Sequence, residues 1–441
     1  MATRRTVSTS QRWRTLPHDT PEPSAADVDD YGLQEDHAMT RHTATSVLPV
    51  VVSGCLLVML SFGYRAGFGL FVQPISEARG WGRDALSLAL AVQNLTWGVA
   101  AVVAGGLADR YGNLRVLLAG VACYAAGMWA MAHAATETQL MFTTGLLVGA
   151  GVAGTSFGIV LPAFVRAVPE ERRGWALGLG TAAGSLGQFL VVPLMQELIE
   201  LFGWSLALQC LGASALVMAL LAMPLAPFGG AANKTNPIPG SLSQVLRRAV
   251  GVRSYRLLVA GFFVCGFHVA FITVHMPGYL VDSGFDARVA AWSISLIGFF
   301  NVIGAYYSGL ASGRHPLRKI LAFIYLGRVI AIGLFLFTPL SLTSVVTFSA
   351  LMGLLWLATV PPTSALVAEF FGTRYMTFLY GIVFLSHQLG SFTGIWLGGW
   401  LYENAGSYDG IWIAAMVLGA LAAAAHWPIE ERSHLESLKA T

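Results

Sequence analysis

Twelve apolar windows, each long enough to cross a lipid bilayer, constrain this chain more than any other feature. They run 47–72, 84–108, 116–134, 140–165, 174–198, 204–226, 257–280, 289–311, 319–338, 343–368, 376–401 and 408–428. About 20 helical residues cross a hydrocarbon core. Within that core every backbone N–H and C=O must be bonded inside the segment, which favours helices. The chain is 55% hydrophobic and 11% charged, where an ordinary soluble protein is about 25% charged. Lipid must therefore be part of its solvent. The expectation is an all-α membrane protein of twelve transmembrane helices, with glycine recurring inside the windows where helices pack closely.

Lysine and arginine set the orientation. With the amino terminus in the cytoplasm, cytoplasmic segments carry 21 of the 26, and outer loops carry only Arg79, Arg83 and Arg288. The other two, Arg65 and Arg328, lie inside spans. Basic residues stay on the cytoplasmic side, so both termini are expected inside the cell. The net charge of +3 reflects this topology and gives no reason to expect nucleic acid. Cys55, Cys123, Cys210 and Cys265 fall in different spans without paired spacing, which suits small packing residues better than disulfides or metal ligands.

Five segments follow. Residues 1–46 read as a disordered cytoplasmic tail rich in Thr, Ser, Pro, Arg and Asp. A six-helix bundle over 47–226 precedes a linker at 227–256, and a second six-helix bundle over 257–428 precedes a tail at 429–441. The linker has no acid between Pro227 and Arg256 and closes on Arg247, Arg248, Arg253 and Arg256. That pattern suits an amphipathic helix lying on anionic lipid. The two bundles echo one another. Gly106-Leu107-Ala108-Asp109 returns as Gly309-Leu310-Ala311-Ser312, without the acid, and Gly178, Leu186, Gly187 and Phe189 superpose on Gly381, Leu389, Gly390 and Phe392 without a gap. Pseudo-symmetric halves with a site between them are the build of a rocking transporter.

The loop after the second span, GGLADRYGNLR from Gly105 to Arg115, resembles the signature of the major facilitator superfamily of transporters. Gly105, Leu107, Ala108, Asp109, Arg110, Gly112 and Arg115 carry the match. The stretch from Arg172 to Gly212, with Arg173, Gly174, Gly184, Gly187, Pro193 and Trp204, and the run SFGYRAGFGLFVQPI at 61–75, resemble the branch of monocarboxylate transporters and oxalate:formate antiporters. The resemblance implies two pseudo-symmetric six-helix bundles working by alternating access. It also implies that Asp109 caps the eleventh span, the helix dipole favouring its charge, with Arg110, Arg115 and Arg166 completing a cytoplasmic gate. Two departures matter: span 8 carries no charge where the branch places ionisable residues, Asn301 being its strongest polar group, and span 11 offers His387 and Gln388 where oxalate exchangers carry a lysine.

Charge inside a membrane is costly, so each instance is a candidate for function. Arg65 in span 1 offers a bidentate clamp for a carboxylate, or could snorkel outward. His268 and His275 in span 7 are seven residues apart and so share one helix face; imidazoles there could bind a carboxylate or relay a proton, or simply pack. His387 in span 11 stands where the repeat has Gly184 in span 5. Asn94 with Gln93 and Trp97 in span 2, Gln188 in span 5 and Asn301 complete the candidate substrate contacts, each able instead to tie helices together. Arg328, ten residues into span 9, is expected to be structural, because the resemblance places that span among the supporting helices.

None of the 23 acids lies well inside a span, which leaves no buried carboxylate for cationic cargo. Neither a phosphate-binding loop nor a Cys/His metal spacing occurs, so no cofactor, metal or enzyme activity is expected. The expected cargo is a small monocarboxylate or related organic anion, moved with a proton or against a counter-anion. The alternative is an exporter of neutral or hydrophobic compounds. A monomer in a bacterial inner membrane is the expected setting.

Overall fold

Helix ends in this chain are fixed largely by glycine and proline, and the computed structural model shows how. It describes residues 47–169, 172–228 and 242–434, apart from the side chains of residues 109, 174, 242 and 373–377. The described elements are helical: α1 Val47–Arg79, α2 Arg83–Tyr111, α3 Asn113–Ala132, α4 Glu137–Ala167, α5 173–202, α6 204–228, α7 Arg253–Asp282, α8 Ala287–Ser312, α9 Leu317–Phe337, α10 Leu342–Gly372, α11 373–405 and α12 Asp409–His426. Helices α5 and α6 run continuously except at Gly203, and α10 and α11 except at Gly372, where φ is 74° and 73°. Only glycine reaches that region at low cost, so a single residue reverses each pair. The twelve helices form the major facilitator fold.

Two of the helices are broken inside the membrane. In α4 the helix stops at Thr155 and restarts after Ser156, which is extended. In α10 it stops at Leu355 and restarts at Val360. Prolines follow at Pro162 in one half and at Pro361 and Pro362 in the other. A proline lacks the N–H that would bond the preceding turn, and the carbonyls so freed need other donors.

The repeated glycines explain how each half packs. A Cβ on Gly187 in α5 would strike the Met59 carbonyl of α1, and one on Gly390 in α11 would strike the Phe263 carbonyl of α7. The same motif position thus seats α5 on α1 and α11 on α7. Between halves, α2 packs on α11 and α5 on α8.

The charge-based topology gives the two faces their names here, outer for the α1–α2 and α7–α8 turns, inner for the α2–α3 and α8–α9 turns. Towards the outer face the halves touch. A Cβ on Gly399 in α11 would lie 2.6 Å from Ser87 of α2, and one on Gly298 in α8 would lie 2.9 Å from Gln188 of α5. Towards the inner face, among the described residues, a Cβ on Gly105 or Gly106 of α2, Gly178 of α5, Gly309 of α8 or Gly381 of α11 would meet nothing within 4 Å.

Beneath the second half, the chain after α12 folds back. The Glu431 carboxylate accepts the backbone N–H groups of Leu317 (3.1 Å) and Arg318 (2.9 Å), capping the positive end of α9. The linker contributes a short helix, Leu242–Gly251, that buries Val245 and Ala249.

Candidate functional site at the junction of the two halves

Midway through the membrane, α1 and α2 of one half meet α7 and α11 of the other. Arg65 projects from α1 into this junction. Its Nη2 donates to Asn94 Oδ1 at 2.7 Å, and its guanidinium carbon lies 4.8 Å from the centre of the Trp97 ring. Asn94 is held ready to accept, because its own Nδ2 donates to the Leu90 carbonyl at 2.9 Å. Arg65 Nε is enclosed without a partner, and no ion pair among the described residues involves this arginine. A small void opens beside it, lined by Arg65, Phe68, Gln93, Asn94, Thr273 and Ile395, with about 10 Å³ accessible to the centre of a water molecule. That is about the room one water needs.

One turn nearer the inner face, aromatic rings gather around Trp97. Phe62 of α1 contacts Phe157 of α4, with ring centres 4.2 Å apart, and meets Trp97 edge-on at 5.7 Å. Trp97 meets Phe384 of α11 edge-on at 5.4 Å, and Phe384 lies parallel to His387 at 5.8 Å. Rings from both halves thus close over the arginine from the inner side. Offset and edge-to-face rings attract beyond their burial.

The other expected site residues are distributed differently. His268 and His275 share one face of α7, as their spacing requires, and that face looks into its own half. His268 Nε2 lies 2.7 Å from the Ala415 carbonyl of α12, and His275 Nε2 lies 2.7 Å from the Ile395 carbonyl of α11. Both are fully buried. His387 likewise turns into the second half, its Nδ1 3.3 Å from Gln388 Oε1 and its ring beside Phe262 of α7 and Phe384 of α11. Gln188 and Asn301 tie the halves together instead: Gln188 Nε2 donates to the Ile294 carbonyl at 2.8 Å, and Asn301 Nδ2 donates to Ser185 Oγ at 2.8 Å. Asn301 Oδ1 also accepts from the Leu357 N–H inside the α10 break.

Arg328 is wholly buried in the second half. Its Nη2 donates to the carbonyls of Leu355 (2.9 Å) and Trp356, and its Nε donates to Leu355 at 3.2 Å. A cation at the carboxyl end of the first α10 segment is favoured by the helix dipole, so this arginine bonds the carbonyls that the break sets free.

Among the expected gate residues, the Asp109 side chain lies outside the described residues, as do those at the start of α11. Arg110 stacks on its neighbour Tyr111 at 5.2 Å, and Arg115 is exposed. Arg166 Nη1 donates to the Phe228 carbonyl at the end of α6.

A second feature escaped the sequence reading. At the outer face Arg83, at the start of α2, pairs with Asp282 at the end of α7, Nη2 to Oδ1 at 2.8 Å, and lies 4.4 Å from the Tyr402 ring of α11. Its backbone N–H donates to Glu403 Oε1. Arg288 reaches Glu197 (2.9 Å) and Glu200 (2.7 Å). Both arginines bridge the halves. The signal for them was present in the sequence: acids and bases stand at the outer ends of spans that the repeat brings face to face.

A twelve-helix body of two repeated halves, with Arg65 at their junction, has the build of a membrane transporter. The chain belongs to the major facilitator superfamily, whose family model matches residues 54–395. It is similar to the uncharacterized MFS-type transporter YcxA of Bacillus subtilis, 24% identical over 77% of this chain and 84% of that protein. It is also similar to monocarboxylate transporter 13 of Bos taurus (26%, covering 80% and 82%) and to the 4-hydroxybenzoate transporter PcaK of Pseudomonas putida (25%, covering 84% and 91%). Among solved structures, a bacterial homologue of the human lysosomal transporter Spinster superposes with a TM-score of 0.70 at 16% identity, covering 87% of this chain and 96% of that one. A D-xylose–proton symporter superposes with a TM-score of 0.68 at 16% identity, covering 87% and 98%.

Proposed function

We propose that this protein carries a small organic monoanion across the bacterial inner membrane, the two halves rocking about the junction that holds Arg65. One observation carries the reading: Arg65 sits at the junction beside a void, with a neutral partner in Asn94, a free Nε and no ion-pair partner among the described residues. Arginine stays charged at physiological pH, so a substrate carboxylate supplies what the site lacks. The names of two relatives, a monocarboxylate transporter and a 4-hydroxybenzoate transporter, agree with a carboxylate cargo. In this reading His268 and His275 hold α7 to its neighbours, and a proton or a second anion balances the transported charge.

A second reading, export of neutral hydrophobic compounds, draws on the charge-free α8 and on the occupation of Asn301 by Ser185 and the α10 break. Counterflow of labelled monocarboxylates into proteoliposomes separates the two. The carrier reading expects uptake that Arg65→Gln lowers at least tenfold. Undiminished uptake in that variant, or counterflow by neutral compounds alone, would overturn it.

A further inference from the structure

The linker helix, Leu242–Gly251, leaves part of its apolar face uncovered. Successive helical residues step about 100° round the axis. Val245 and Ala249, one turn apart, are buried, at 3% and 0% exposure. The next positions round are Leu246, half-buried, and Val250, 44% exposed. Beyond them comes Arg247, exposed. One edge of the apolar face is left open, with a cation beside it. Val245, about 9 Å back from Gly251 along the axis, is still buried, so the helix lies against the protein's inner face instead of projecting into water. The corner that follows is fixed: Val252 is extended, α7 begins at Arg253, and Arg256 Nη1 donates to the carbonyls of Val250 (2.8 Å) and Gly251 (3.2 Å). A cation there answers the negative end of the linker helix. Leu257, where the apolar part of α7 opens, lies about 6 Å along the axis from Arg253.

The charge at this corner is unanswered by the protein. No acid occurs between Pro227 and Arg256. Arg247 and Arg253 are exposed and form no ion pair among the described residues. The tail that bonds Ser254 brings two acids near, but Glu430 pairs with Arg432 at 2.9 Å and Glu431 caps α9. We infer that anionic lipid head groups of the inner leaflet dock on this helix, Leu246 and Val250 entering the head-group layer and Arg247 and Arg253 pairing with its phosphates. A helix with arginine beside an apolar edge binds a membrane surface through apolar burial and charge together. The occupant is lipid rather than a soluble partner because α7 enters the bilayer within about a turn of Arg253. The docked helix anchors the inner end of α7, whose Thr273 and Val274 line the void beside Arg65. This holds whatever the cargo.

The full-length protein lacking its four native cysteines, with Val250→Cys or Gln244→Cys, tests this in nanodiscs of phosphatidylcholine alone or with phosphatidylglycerol added. Gln244 is exposed and lies about a third of the way round the helix from Val250. Labelling of Val250→Cys by an uncharged, water-soluble thiol reagent is expected to slow by about fivefold or more with phosphatidylglycerol, the weight of one arginine at an anionic surface. Gln244→Cys should label alike in both membranes. Arg247→Gln combined with Arg253→Gln is expected to remove the difference. Both side chains are exposed, so the unfolding midpoint in detergent should stay unchanged, which tells a lost lipid contact from a lost fold. Equal labelling of Val250→Cys in the two membranes, or a slowing that the double variant retains, would overturn the inference. So would protection by soluble inorganic polyphosphate in phosphatidylcholine discs as strong as that by phosphatidylglycerol, which would assign the arginines to a soluble polyanion.

Discussion

Arg65 and Arg328 are the two arginines inside the membrane, and the structure answers them in opposite ways. Arg328 donates to carbonyls of Leu355 and Trp356, backbone atoms of its own half exposed by the α10 break. Its charge faces the negative end of a helix dipole, and its Nη1, like Arg65 Nε, has no hydrogen-bond partner. Arg65 has one amide partner, a Trp face and an enclosed Nε with no acceptor, beside a void where the halves meet. What distinguishes them is location, for both are cations in spans with one unpartnered nitrogen. A buried charge bonded to the backbone of its own half serves that half first; one beside a void where the halves meet is placed to meet a ligand.

Arg328→Met gives the largest effect expected and the most direct way to break the comparison. Methionine has comparable length and no donors, so the Leu355 and Trp356 carbonyls lose their partner. Each buried unpaired group costs about 1–3 kcal/mol, and together they destabilise the folded protein by about 2–5 kcal/mol. The thermal unfolding midpoint in detergent should fall sharply, while Arg65→Gln should shift it little. An Arg328→Met protein with an unchanged midpoint and lost transport would reverse the two assignments.

The comparison also shows what the chain disclosed in advance. The spans were legible because 20-residue apolar windows have few alternatives in lipid, and the packing of α5 on α1 and α11 on α7 was latent in the repeated Gly187 and Gly390. A structural part for Arg328 is an expectation drawn from the span it occupies; its carbonyl partners were hidden because residues 343–368 read as one helix. Pro361 and Pro362 were the missed sign of the break. His268 and His275 show a different limit. Spacing by seven puts two residues on one face, yet it cannot say which neighbour that face meets, and here it meets α11 and α12. The aromatic level around Trp97 was likewise hidden, since its rings come from four helices of both halves.

Arg83 sharpens the comparison as a third case, a charge whose partner sits in the opposite half. Its Asp282 partner must leave when the outer face opens. Arg83→Gln should therefore favour the outward-open form while barely changing the unfolding midpoint. The Arg83 and Asp282 side chains are 11% and 28% exposed, so after solvent screening the pair contributes about 1 kcal/mol at most, or about fivefold in population. A cysteine at Ser87, in a protein lacking the four native cysteines, reports the change. Its labelling by a thiol reagent that cannot cross membranes should speed up about fivefold with Arg83→Gln. Unchanged labelling would mean that the contact does not hold the outer face shut.

Arg288 makes the same kind of cross-half bridge and should matter least. It pairs with Glu197 and Glu200, but the Arg288 side chain is 56% exposed and its partners 47% and 30%. Water and salt compete freely for such groups. Geometry alone would rank this bridge beside Arg83, because it has two carboxylates where Arg83 has one. Solvent exposure ranks it far below. Arg288→Gln is expected to leave Ser87→Cys labelling within about twofold of its parent at moderate salt. A fivefold increase there would show that the number of carboxylates, rather than their exposure, decides how firmly the halves are held at the outer face.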